Sequence, residues 1–336
     1  FRTKADAVAA MNQVMADHEP PRIWPSDPLS IRQVARGWLE RKTAECTPST
    51  MAAYRRSVGR ICDRFGDVRV GDLTVAMVDE FEHDLLDNGS AGGGALSAKS
   101  VEGVHAVFHQ VLDDAVRRGA ASSNVAASAA PPRHEDDVMT VWTPDEVRAF
   151  LGSVRGHRLF PAFFVLLATG FTRGELVGLR WADVDLDAGE ITIRRIVSMT
   201  NGQRTESVPS PSARRTVTIA QRTVDALDER RVSVGNLSVD QPVFEKRGGG
   251  ELNPESLSNT FRRLVEHAGV SPITIAGLRH THAALLFRAG VSPLVVSKRL
   301  GHSTFATTQD MYGHLIPPLR DPHLESFEQS ILDPQP

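Results

Sequence analysis

Residues 300–313 read Leu-Gly-His-Ser-Thr-Phe-Ala-Thr-Thr-Gln-Asp-Met-Tyr-Gly. A short Gly-containing turn presents His302, and one helical segment later the run closes on Tyr312. The chain has only 2 Tyr, so this one is not a routine core aromatic. A phenol following a Gly-His turn has the layout of a nucleophile with a proton-handling neighbour, suited to attack on a phosphodiester. Such an attack needs cations for the phosphate, and two upstream blocks offer them. In Thr169-Gly170-Phe171-Thr172-Arg173-Gly174-Glu175-Leu176, Gly170 ends one helix and the next begins at once. That corner would hold Arg173 as a fork of donors, with Glu175 near enough to orient it. In Gly277-Leu278-Arg279-His280-Thr281-His282-Ala283, Arg279 and His282 are spaced i and i+3 on a helix. His280 reads as a satisfied helix-face histidine. Two His with no third ligand do not imply a metal.

These residues need a scaffold, and the apolar spacing supplies one. Residues 3–17 read as an Ala-rich helix, and the stretch 19–30, with its four Pro, as a linker. From Ser30, Ile31, Val34, Ala35, Trp38 and Leu39 recur with helical period. A second helix follows Thr47-Pro48, capped by Ser49 or Thr50, with Met51, Tyr54, Val58 and Ile61 on its core face. Helices over 75–86 and 98–117 complete an all-helical module. The Ala-, Ser- and Pro-rich stretch 120–137 reads as an interdomain linker. The second module opens on Thr143-Pro144-Asp145-Glu146, a cap with Pro at the first helical position and early acids. Helices run to Trp181, residues 191–197 and 216–219 read as strands joined by a polar loop, and helices resume near Arg222. The boundaries are therefore 1–29 for a terminal remnant and linker, 30–120 for the helical module, 121–137 for the linker, 138–316 for the second domain and 317–336 for a tail.

A chain of 336 residues is long for a single core and fits two or three domains. A hydrophobic content of 41% with 24% charged residues describes an ordinary globular protein. No apolar run approaches the length of a membrane span, and no signal peptide is evident. The chain starts at Phe1, so its natural N-terminus is expected upstream. Cys46 and Cys62 have no ligand spacing and fit a reducing cytosol. The net charge of −3 argues mildly against nucleic acid, although the placement of the Arg residues matters more than the total.

The three blocks in this order resemble the tyrosine recombinases of the phage integrase type, from about residue 30 to residue 315. The resemblance implies a mainly α fold with a small antiparallel β element: a helical core-binding domain followed by a mixed α/β catalytic domain. It implies that Tyr312 attacks a DNA phosphate to give a 3′-phosphotyrosine, that Arg173 and Arg279 clamp the phosphorane, and that His302 hydrogen-bonds the scissile phosphate. No cofactor or metal is implied. The implied partners are a double-stranded DNA recombination site, a homotetramer formed on it, and an accessory factor that bends DNA or sets direction. The implied location is the bacterial cytoplasm, at the nucleoid, with no membrane. In the helical module, Arg55, Arg56, Arg60 and Arg64 recur along one helix, and Lys99 with Ser100 begins another. Of these, Arg55, Arg56, Arg60, Lys99 and Ser100 are expected to track phosphates.

Two positions depart from the family pattern. The family's His three residues before the second Arg is here Ala276, and its hairpin Lys is here Pro209, with Pro211 the other candidate. No Lys occurs between Lys99 and Lys246, and Arg204 is a poor proton donor in its place. Losing a positioned acid costs about 10²–10⁴ in rate, so slow cleavage is expected. A DNA-binding accessory relative without turnover is the alternative reading, and a type IB topoisomerase a third. The amphipathic stretch 317–332, with Leu324, Phe327 and Ile331, is expected to cover its own domain or dock on a neighbouring protomer.

Overall fold

The computed structural model describes residues 29–89, 94–132, 139–200, 202–235 and 238–313. The expected helix over 3–17, nearly all of the Pro-rich stretch, residues 133–137 of the expected linker and the tail over 317–332 lie outside them. The chain divides into two units, Phe1–Asp137 and Val138–Pro336. It is mainly helical with two small antiparallel sheets, as the sequence leads one to expect. No helix among the described residues is long and apolar enough to cross a membrane.

The first unit is built on α1 (Ile31–Lys42), α2 (Pro48–Phe65), α3 (Val75–Asn88) and α4 (Ala98–Arg117). Ser30 and Gln33 close a reciprocal capping box at the start of α1. The cap of α2 is Thr47 rather than the expected Ser49 or Thr50. Pro48 occupies the first helical position, where its missing N–H costs nothing, and so moves the helix start forward. The helices bury Trp38, Phe65, Phe81 and Phe108 together, with the Phe65 and Phe81 rings 5.2 Å apart at 68°. A short 3₁₀ turn, Val125–Ala127, buries Ala126 against this core, and Ala129 joins it. The first part of the stretch read as linker is therefore core of the helical unit, a role its small side chains did not advertise.

The second unit opens with α5 (Pro144–Ser153), whose Thr143–Glu146 capping box matches the sequence signal. It continues through α6 (Phe160–Thr169) and α7 (Arg173–Gly178). Strands β1 (Val184–Asp185), β2 (Glu190–Thr192) and β5 (Thr216–Thr218) form one sheet in the order β1-β2-β5, with Ile191 opposite Val217. Strands β3 (Ile196–Thr200) and β4 (Gln203–Ser207) form a separate hairpin, with Val197 opposite Glu206. The single strand expected over 191–197 is thus two strands in two sheets. Arg195 causes the break: it turns to the buried Asp183, 2.6 Å away, and to the carbonyl of Gly178. Strand β4 has no apolar alternation to betray it, since its sequence Gln-Arg-Thr-Glu-Ser is polar on both faces. Helices α8 (Gln221–Val234), α9 (Pro254–Ala268), α10 (Ile275–Arg288), α11 (Pro293–Leu300) and α12 (Phe305–Tyr312) follow.

Trp142 organises the core of this unit. Its ring packs 4.9 Å from Phe150 and 5.9 Å from Phe261. Its indole N–H donates to the Ser271 carbonyl and its backbone N–H to the Thr281 hydroxyl, so no polar atom of the buried indole is left unpaired. A smaller apolar cluster, Ala283, Phe287, Val296, Leu300 and Tyr312, packs α10, α11 and α12 together.

Gly170 is the pivot between α6 and α7. Its φ of 69° lies in the left-handed region, and a Cβ there would stand 2.6 Å from His282 and 2.7 Å from Leu300. Gly170→Ala therefore combines backbone strain with overpacking and should destabilise the second unit by about 2–5 kcal/mol. Urea unfolding checks this, and a midpoint equal to wild type would contradict it.

Candidate active site

The short helix α7 places Arg173 at its first turn, after a Thr172–Glu175 capping box. Arg173 is not oriented by Glu175, as the spacing had led us to expect. Its Nη1 donates instead to the Ser258 hydroxyl on α9, at 2.8 Å. Glu175 is turned inward to Arg215, which meets it at 2.6 and 3.2 Å with both guanidinium nitrogens. Both partners of this pair are more than nine-tenths buried. Arg215 also donates through Nε to the Arg299 carbonyl at 2.7 Å, and its guanidinium lies 5.4 Å from the Phe171 ring centre.

Arg279 rises from α10. Its two terminal nitrogens donate to the carbonyls of Gly170 and Leu300, each at 2.8 Å. Arg173 and Arg279 line one cavity of about 710 Å³, together with Arg262 and Ala276. Three Arg and no Asp or Glu line it, so its lining carries positive charge. Ala276 is exposed, so the family's missing His would have faced this space. Of the two hairpin prolines, Pro209 is buried and Pro211 exposed. Arg204 is held by Glu206 at 2.7 Å and Glu251 at 2.9 Å, so it is not a free cation.

Tyr312 does not line the cavity. Its side chain has 0% exposure in the cluster with Phe287 and Leu300. Its hydroxyl lies 2.7 Å from Nδ1 of His280. Burial pushes the phenol up to about 12, with the nearby Arg279 charge opposing. His302 stacks parallel to the Tyr312 ring at 6.4 Å, and its Nδ1 sits 2.7 Å from the Thr308 hydroxyl. Burial, then Arg279 and Arg215, bring its pKa down to about 4, so the ring is neutral at pH 7. His280 is half-buried and is also lowered, first by burial and then by Arg279.

His280 is the residue that sequence reasoning passed over. Its partner is 32 positions away, and no local spacing announces the contact. Arg215 and Ser258 were likewise invisible as site residues, because their roles arise only from contacts between distant elements. In the helical unit, Arg56 and Arg60 share a groove of about 580 Å³ with Arg64. Arg55, Lys99 and Ser100 are exposed outside it. Arg60 is partly engaged, donating to the Gly89 carbonyl at 3.1 Å, and the Ser100 N–H donates to its cap, Ser97.

His282 shows how the cations are kept in place. Its Nδ1–H donates to the Leu167 carbonyl at 2.7 Å, and its Nε2 accepts from Arg299 at 3.2 Å, an arrangement open only to the neutral ring. Burial and then Arg299 lower its pKa from 6.5 to about 4. Folding therefore favours the neutral form. The stabilisation is complete above pH 6.5, fades as the pH falls, and is lost near pH 4, a change of about 3 kcal/mol. In urea titrations, the stability gap between wild type and His282→Gln should narrow by roughly that amount from pH 7.5 to pH 4. A gap independent of pH would refute this assignment.

The model of the phage integrase family matches residues 141–317. A relative described as "Tyrosine recombinase XerC-like", from Caldanaerobacter subterraneus subsp. tengcongensis, is 25% identical over 315 residues, 85% of this chain and 79% of that protein. Among solved structures, the Tn1549 transposon integrase in complex with a circular intermediate DNA matches with a TM-score of 0.75 at 18% identity, covering 90% of this chain and 99% of that one. A lambda integrase tetramer bound to a Holliday junction matches with a TM-score of 0.64 at 17% identity, over 90% of this chain and 88% of that one.

Proposed function

This chain belongs to the phage integrase family and acts in site-specific DNA recombination, and on that premise we propose how its residues break and rejoin a strand. The observation that carries the proposal is the cavity where Arg173 and Arg279 converge with no carboxylate in its lining. A scissile phosphate seats there. The two guanidiniums offset the charge that grows on its equatorial oxygens as the phosphorane forms. The Tyr312 oxygen bonds to phosphorus, the bond to the 5′-oxygen breaks, and the 3′-phosphotyrosine keeps the bond energy for religation. His302, neutral and close to Tyr312, donates a hydrogen bond to the phosphate. A hydroxyl with no exposure cannot meet a duplex, so the surroundings of α12 have to open and admit the phosphate to the phenol.

Arg55, Arg56, Arg60, Lys99 and Ser100 supply sequence-independent phosphate contacts in the helical unit. The assembly on DNA is a homotetramer, assisted by an accessory factor for bending or direction. Ala276 and the hairpin prolines favour a second reading, in which the protein occupies its sites with little turnover. Retention of Tyr312, Arg173 and Arg279 supports the enzyme.

Covalent trapping on a nicked half-site separates the two. Wild type should form an adduct, Tyr312→Phe none, and Arg173→Ala or Arg279→Ala about 10²–10³ less. An adduct that persists in Tyr312→Phe would reject the assignment. In the same assay, Ala276→His combined with Pro211→Lys should raise the rate about tenfold or more, chiefly by restoring a proton donor for the leaving 5′-oxygen. No gain would remove those two positions as the cause of slow cleavage.

A further inference from the structure

We propose that His280 is a catalytic residue of this chain: its Nδ1 takes the Tyr312 proton as the phenol attacks and returns it on religation. The inference rests on the strand-exchange reading above. It assigns the proton acceptor that the sequence lacks at Ala276 to a neighbour one helical turn further along α10.

Three observations carry it. The Nδ1–hydroxyl distance of 2.7 Å is within the reach a general base requires. The ring is half-buried while the phenol is fully buried, so the buried hydroxyl has a partner with some access to solvent. It follows Arg279 in sequence, so the acceptor is tied to a residue that lines the phosphate cavity. The charged and titratable groups recorded around His280 are Arg279 on its own helix, and Tyr312 and His302 on the elements packed against it. Burial, and then Arg279, lower its pKa, which favours the neutral ring that an acceptor must be. His302 and His282 are less suited, because their rings are already engaged by Thr308 and by Leu167 with Arg299.

The step balances as follows. The Tyr312 O–H bond breaks, its proton passes to Nδ1, and the phenolate oxygen bonds to phosphorus. The P–O5′ bond breaks, and the leaving 5′-oxygen takes a proton from water. In reverse, the 5′-hydroxyl gives its proton to water as it attacks the phosphotyrosine. The His280 imidazolium then protonates the departing phenolate.

The test uses the full chain and a nicked half-site, scoring covalent complex per unit time. His280→Ala should slow formation about 10²–10⁴-fold, while DNA binding and circular dichroism stay as in wild type. His280→Asn, which preserves a hydrogen-bonding partner but cannot accept the proton, should be nearly as slow. Added imidazole should partly restore the Ala variant. In wild type the rate should rise with pH through an acid limb that both variants lack. A half-site with a 5′-bridging sulfur, which leaves without a proton, should not rescue either variant, because the lost function lies at the nucleophile. Cleavage by His280→Ala at or above the wild-type rate would overturn the proposal and show the contact to be a latch on Tyr312. Full activity in His280→Asn would overturn it in favour of a purely positional role. If wild type forms no Tyr312 adduct, the strand-exchange reading itself fails, an outcome distinct from either of these.

Discussion

A single buried ion pair, Glu175 with Arg215, underlies the geometry of the second unit. A lone buried carboxylate or guanidinium would be costly, and the bidentate arrangement satisfies both. Glu175 also accepts from the Thr172 N–H at 2.7 Å and so fixes the start of the helix that carries Arg173. Arg215 reaches across to the Arg299 carbonyl at the end of α11, just before the turn that presents His302. The close approach of its guanidinium to Gly301 leaves no room there for a Cβ, which would lie 2.9 Å from Nη1. One pair therefore sets the separation between the arginine corner and the segment that ends in Tyr312.

Around that pair the unit collects cations and keeps its histidines neutral. Arg279 and Arg299 satisfy their donors on backbone carbonyls: Gly170 and Leu300, at helix ends, for the first, and Ala168 near the end of α6 with Thr218 at the end of β5 for the second. Carbonyls hold a guanidinium without cancelling its charge, so the cavity stays electropositive although the chain carries a net charge of −3. Burial first and the arginine charges second depress His280, His282 and His302, and the Arg279 charge works against the burial that raises Tyr312. A positively charged cavity lining and a buried phenol thus come from one arrangement.

Much of this was legible in the sequence, wherever the signal is local. The Thr143 capping box, the Ser30 helix start and the helix over 98–117 follow from residue types and period, and the structure keeps them. Arg173 and Arg279 stood out because Gly-bounded helix corners frame them. What the sequence concealed depends on contacts over long separations. The Glu175–Arg215 pair spans 40 positions and the His280–Tyr312 contact 32. The polar strand β4 is defined only by its partner, and the break at Arg195 only by buried Asp183. Spacing suggested that Glu175 serves Arg173; in three dimensions a stronger claimant, Arg215, takes it.

In the mechanism proposed above the chemistry converges on one oxygen atom, and peptide mapping of a protein–DNA adduct tests that directly. After trapping on a nicked half-site and exhaustive nuclease and trypsin digestion, the residual nucleotide mass should sit on the peptide that follows Arg299 and contains Tyr312. It should be joined through a 3′-phosphate, with Tyr54, the chain's other tyrosine, unmodified. A nucleotide attached to any other residue, or joined through a 5′-phosphate, would contradict the account.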